Sequence, residues 1–561
     1  MEENKKKITR ERKKNCLKGY RSELSEMLMS YGIIPFRDLK NLPNSQAMYS
    51  KKLKMFMAEK RIRIEELRDD DDYKKVAIIR GVPSAWKDYF EQNEEDKNGK
   101  YGIARYQNVL KKCIKDAQSG IPVRQMRAFR ISEVSILMQT SGIMSLYLDK
   151  PHIWNGKAKI VDLNMSYFYT PYELTYEEIR SMEDGRGDRK SIMSRYCGVM
   201  ITPMRDYTIY HMGPRRFKWS NRKETGYKIE IERVIREKNN LPERKNHQDA
   251  IFYVNNNNPI ISLLDPQRKE TNKGLLRSLD ESDEKSLPAR EYEIEEKTVV
   301  RSRDVSAEES NSTIISIKDD AYDKMYVLGI DGDESKIMLH NMTYYNWEEI
   351  LMQFHMSGYD ISKRSDGVNG ATGVRDIKVV RNGKEIRCRE YAHLFCISEL
   401  KEFHRFLEAV KALKTIEEYR FKVICYDHQR KLVEEVVERG VEIETVELKK
   451  IEDIILEKVL CGYDRSEEAL EKLPARAHGV KDNMIVFLYC ISNSRELYEF
   501  LDTIEELDTF VEEKGYSLEQ KYRYKIMCYE EQSQFIEGCL ETYNKSVQNK
   551  CEVEIISRSI L

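Results

Sequence analysis

The chain has 561 residues, with 95 Lys plus Arg against 96 Asp plus Glu, so its formal net charge is −1. That length holds three or four domains of roughly 100–200 residues each, and the charge balance excludes a chain-wide surface for a polyanion, leaving only local segregation of charge. No run approaches the ~18 consecutive apolar residues that mark a membrane helix, and the basic start MEENKKKITRERKK lacks the apolar core of a signal peptide, which points to a cytoplasmic protein with no membrane partner.

The 11 cysteines are widely spaced, with no CxxC pair, and several lie inside apolar runs such as LFCIS, VICYD and LYCIS. They read as small buried hydrophobes in a reducing compartment. The 9 histidines show no HxH, HxxxH or HExxH spacing, so a transition-metal site is not expected.

The N-terminal stretch, 15–81, reads as a winged helix-turn-helix. Leu17, Tyr20, Leu24, Met27, Leu28 and Tyr31 recur at three- and four-residue steps and share one helix face, and Gly32 stops that helix. Ile33-Ile34 is extended, Pro35 can open a short second helix from Phe36 to Leu42, and Asn44 or Ser45 can cap a third helix running to about Arg61. On the third helix Tyr49, Leu53, Phe56 and Met57 form the buried stripe. Gln46, Ser50, Lys51, Lys54 and Lys60 lie off it, offering amide and cationic groups to base edges and phosphates of double-stranded DNA. The strand KKVAIIR, Lys74–Arg80, paired with Ile62-Arg63-Ile64, makes the wing. An amphipathic core with a merely solvated, or protein-binding, lysine face is the plain alternative.

A helical extension spans 101–145. Its stretch from Arg124 to Arg130 sets Arg124, Arg127 and Arg130 among Met and Phe and runs on as a helix to Gly142, so it can extend the DNA face. From 191 to 265 the pattern is strand (Cys197–Thr202), strand (Asp206–Tyr210), short strand (Arg216–Trp219), helix (Glu224–Glu237) and strand (Ala250–Val254). That order matches an endonuclease-like α/β core, in which paired acids hold Mg²⁺ and a lysine stands beside the water that attacks the phosphate. Asp206 takes the first acid's place and Lys218 the lysine's. Arg216 stands where the second acid is expected, so Glu224 or Glu232 would have to complete the metal set.

A polar linker or insertion covers 266–320. The C-terminal α/β domain, 321–561, opens with MYVLGID. GIDGDES reads as an Asp-Gly turn, GVNGATG as a weak phosphate-loop candidate, and Asn382-Gly383 as a tight hairpin turn. An internal repeat, 393–446 and 486–556, pairs HLFCIS with FLYCIS, FKVICYDHQ with YKIMCYEEQ, and Val441-Glu442-Ile443 with Val553-Glu554-Ile555. Each copy reads strand–helix–strand–helix–strand, which implies a mainly parallel sheet, and neither carries a dinucleotide-binding glycine motif. A scaffolding or homo-oligomerising role fits this domain.

Taken together, the N-terminal helices, the GVMI…DYTIYHMG…FKW core and VICYDHQ resemble the replication-relaxation family of bacterial plasmids and conjugative elements. The resemblance implies binding at an origin in replication or transfer, with other replication or transfer proteins as partners. In the family's relaxase branch it implies nicking through an endonuclease-like site, onto which Asp206 and Lys218 carry over and from which Arg216 departs. The expected function is therefore DNA binding for a mobile element, with no cofactor required; a metal-dependent nickase, or a regulatory protein whose winged helix binds protein, are the alternatives.

Overall fold

The computed structural model describes residues 27–28, 31–41, 46–60, 62–68, 75–81, 122–146, 166–174, 196–202, 205–212, 248–254, 260–261, 264, 322–330, 332–344, 346–361, 368–381, 383–459, 478–481, 484–491, 497–506 and 523–556. These build four sheets with helices between them, a mixed α/β architecture. The first sheet is antiparallel, in the order β1 (Ile33–Pro35), β3 (Lys75–Gly81), β2 (Ile62–Arg68). Ile62 stands opposite Gly81 and Ile64 opposite Ile79, the pairing anticipated for the two apolar runs. A 3₁₀ turn (Phe36–Asn41) and helix α1 (Gln46–Ala58) join β1 to β2.

Two local expectations change. Pro35 closes β1 opposite Ile78 instead of opening a helix, a place on an edge strand where the missing N–H is tolerated. Met57 is 47 % exposed. The helix stops one residue later and Lys60 turns the chain at φ 55, so Met57 has no core to enter.

Neighbouring residues on a strand point to opposite faces. Ile34, Ile62 and Ile79 join Leu28, Tyr31, Leu39, Leu53 and Phe56 on one side of the sheet. Ile33, Leu67 and Ile78 meet Met126, Ala128 and Phe129 on the other. Those last three belong to α2 (Pro122–Thr140), which is wedged between this sheet and the next and is therefore buried nearly all round. Gly142, at φ 82, ends it as anticipated: Ile143 N–H reaches Met138 O at 3.0 Å and Gly142 N–H reaches Gln139 O at 3.2 Å.

The central sheet runs β4 (Tyr167–Tyr169), β5 (Tyr196–Ile201), β6 (Asp206–Met212), β7 (Gln248–Val254), β8 (Met325–Gly329). Strands β5 and β6 form an antiparallel hairpin, and β7 and β8 follow in parallel. The same plan recurs twice. The hairpin β9 (Gly373–Arg381)/β10 (Lys384–Leu394) is followed by parallel β11 (Tyr419–Tyr426) and β12 (Glu442–Val446). The hairpin β13 (His478–Lys481)/β14 (Met484–Leu488) is followed by parallel β15 (Arg523–Cys528) and β16 (Cys551–Ile555).

The two-copy repeat seen in the sequence is thus part of a threefold strand plan, each copy led by an extra antiparallel strand. Register also moves one alignment. Lys422 pairs with Glu442 and Lys525 with Glu552, so Glu442 corresponds to Glu552 and Glu444 to Glu554. The two-residue slip keeps each side chain on its face, which is why the sequence alone did not expose it.

On one face of the central sheet Ile209, Ile251 and Leu328 pack against Ile131, Val134 and Met138 of α2. Met338 and Leu339 of α3 (Asp333–Asn341) and Leu351 of α4 (Trp347–His355) complete that layer. In the second copy the crossovers are α5 (Leu400–Leu413) and α6 (Arg430–Val436), and α7 (Ile451–Val459) follows β12. In the glycine-rich run, Gly370 is placed for close packing. A Cβ on Gly370 would stand 2.3 Å from Glu402 O and 2.4 Å from Phe406 N on α5, and the Gly370 carbonyl lies 2.7 Å from Nδ1 of the buried His393. The hairpin turn at Asn382-Gly383 is present, with Arg381 opposite Lys384 and Gly383 at φ 76. Of the eight described cysteines, seven are buried and all are free. No described helix is long and apolar enough to cross a membrane.

Candidate nucleic-acid interface

Helix α1 divides as a docking helix must. Leu53 and Phe56 are 5 % and 1 % exposed and face the sheet, while Lys51 and Lys54 face solvent, and Lys60 is exposed in the turn that follows. Gln46 and Ser50 fall on its first turns. None of Lys51, Lys54 and Lys60 makes an ion pair among the described residues. Arg63, on β2 just beyond, is also exposed; Glu59 and Glu66 are the exposed acids near it. The wing tip, 69–74, and the first helix as far as Leu24 lie outside the described residues.

The second basic stretch does not continue this surface. Helix α2 packs on the far side of the three-stranded sheet from α1, so Arg124, Arg127 and Arg130 are separated from the α1 lysines by the sheet. Arg124 is exposed, whereas Arg127 and Arg130 are half-buried and near enough to Cys197 on β5 for their charges to act on its thiol.

Polar contacts hold the small sheet and its helices to the body. Tyr31 Oη lies 2.7 Å from Ser145 Oγ, and Ser132 Oγ donates to Ile33 O at 2.5 Å. Arg37, in the 3₁₀ turn ahead of α1, pairs with Glu133 of α2. The same carboxylate lies 3.3 Å from His211 Nε2 at the end of β6. Burial pushes the Glu133 carboxyl up, but His211 and Arg37 outweigh it and leave it below its ordinary value.

The endonuclease-like site is not assembled by the described residues. Asp206, the first residue of β6, is 3 % exposed and already engaged within the fold. Strand β6 pairs with β5 along one edge and β7 along the other. Lys218 and Glu224 themselves, with Arg216, Glu232, the helix 224–237, the helix 101–116 and the linker 266–320, lie outside the described residues. Among those described, no group of three or more His, Cys, Asp or Glu side chains is placed to hold a metal.

A different constellation occupies that end of the sheet. Arg205 reaches Asp249 Oδ2 at 3.3 Å, Tyr326 Oη at 2.8 Å and Glu348 Oε2 at 2.9 Å. Lys324 also pairs with Glu348, and Tyr326 donates to its other oxygen. Burial pushes the Asp249 carboxyl up to about 7 against the pull of Arg205 and Lys324. Two cations and two acids cancel, and the network stitches α4 to β7 and β8. Sequence reasoning missed it because its members are up to 143 positions apart and share no motif.

Comparison with known proteins finds no matching family model, no matching curated protein and no matching solved structure.

Proposed function

We propose that residues 27–81 form a winged helix-turn-helix that binds double-stranded DNA, with α1 in the major groove and the β2–β3 hairpin as its wing. The observation that carries this reading is the placement of Lys51, Lys54 and Lys60. All three are exposed and make no ion pair among the described residues, Lys51 and Lys54 on the solvent side of a helix whose other side is fixed in the core and Lys60 in the turn after it. An unneutralised lysine row is what a phosphate backbone selects, because each phosphate contact releases a counterion. Among the described residues α2 packs on the opposite side of the sheet, and the α1 lysines are open to solvent.

The biological setting rests on the sequence resemblance. It makes the protein a cytoplasmic DNA-binding component of a bacterial mobile element, acting in replication or transfer beside other proteins of that system. The threefold strand plan, as a scaffold or a self-association module, would then hold the DNA-binding head. A Lys51→Ala/Lys54→Ala variant of the full chain tests the reading. Binding to a mixed-sequence duplex, followed by fluorescence anisotropy, should weaken at least tenfold while the melting temperature stays unchanged. Unaltered affinity would remove the assignment.

A further inference from the structure

The face of the central sheet that packs on α2, α3 and α4 is apolar in its middle and polar at both ends. At the amino ends of the parallel strands, Arg205, Asp249, Lys324, Tyr326 and Glu348 satisfy one another. At the carboxyl ends they do not. There His211 of β6 is 4 % exposed and Tyr253 of β7 is 0 % exposed. His211 Nδ1, Tyr253 Oη and Arg127 Nε from α2 are buried without a hydrogen-bond partner. His211 and Tyr253 stand opposite each other on β6 and β7, the His211 backbone meets the thiol of Cys197, the extra residue at the bulge of β5, and the Arg127 charge acts on that same thiol. Buried donors left unmade are costly, and several in one place call for a bound group.

The charge at this point is positive. Arg124, Arg127 and Arg130 follow at three-residue steps along α2 from exposed to half-buried, a spacing at which like charges repel. The carboxylate facing them, Glu133, is already engaged by Arg37 and His211. The carboxyl ends of parallel strands are also where open α/β sheets bind their ligands. We infer that Arg127, His211 and Tyr253 form a binding site for a small tetrahedral oxyanion, inorganic phosphate or the phosphate of a nucleotide, with Arg124 at its mouth. This site is separate from the α1 lysines and does not rest on the DNA reading.

Thermal unfolding of the full chain in a phosphate-free buffer tests it. Sodium phosphate should raise the unfolding temperature saturably, beyond sodium chloride at the same ionic strength. Arg127→Met and Tyr253→Phe should each lose that rise, and Lys51→Ala/Lys54→Ala should keep it. Tyr253→Phe removes only an unpartnered hydroxyl, so it preserves the fold even where Arg127→Met does not. A rise with a nucleoside monophosphate but not with inorganic phosphate, lost in the same variants, assigns the site to a nucleotide. No saturable rise with either ligand, or a rise that Tyr253→Phe retains, overturns the inference.

Discussion

Glu452, on the first turn of α7, accepts from Tyr344 Oη at 2.6 Å and lies 2.7 Å from His340 Nε2, both reaching it from the α3 end. Burial pushes its carboxyl up, and these partners with Lys450 outweigh burial and bring it down to about 2. A depressed folded value means stability that is fully present above the ordinary value of 4.5 and lost as pH falls through about 2. Glu452→Gln should therefore cost about 3 kcal/mol at pH 7 and flatten the stability profile over that acid window, read by urea unfolding across pH. Gly370 gives a second residue-level outcome. Both its φ of 79 and its contact with the α5 backbone exclude a side chain, so Gly370→Ala should cost more than the ~1–2 kcal/mol of placing a side chain in the left-handed region, while Gly383→Ala, in an open turn at φ 76, costs about that alone.

At the scale of elements, α2 is the strut of the molecule. Its first half closes the far side of the small sheet and its second half covers the central one. Removing the charge at its centre by Glu133→Gln leaves His211 and Arg37 without their buried anion. Arg37 is 42 % exposed along its side chain, so water compensates part of the loss and a destabilisation of about 2 kcal/mol is expected. Hydrogen exchange should show that loss in β1–β3 and leave β9–β12 protected. A uniform loss across all sheets would contradict the strut role. The hairpin pairing of β2 with β3, the Gly142 stop and the Asn382-Gly383 turn were legible in sequence because each depends on residues a few positions apart. The wedge position of α2 was not: nothing in RQMRAFR distinguishes a helix that faces DNA from one packed behind a sheet, since that depends on elements about 50 to 200 positions away.

For the whole molecule, the threefold hairpin-plus-two-strand plan explains why the stretch at 191–265 matched a nuclease core. A strand order that recurs in two further copies does not by itself distinguish a catalytic unit. Two copies were visible because their strands share apolar runs ending in Cys-Ile and Cys-Tyr. The first copy keeps the topology with other residues and longer crossovers, so its kinship lies in hydrogen-bond register alone. The Arg205–Glu348 network likewise exists only once the chain has folded.

The account stands on a lysine row that the described residues leave open. Its most direct test is the salt dependence of duplex binding by the full chain, comparing wild type with Lys51→Ala/Lys54→Ala. Each phosphate contact contributes about 0.9 to the slope of log K against log salt. A fall of roughly 2 in the magnitude of that slope is the result expected if both lysines meet the backbone. Equal slopes for the two proteins would contradict it.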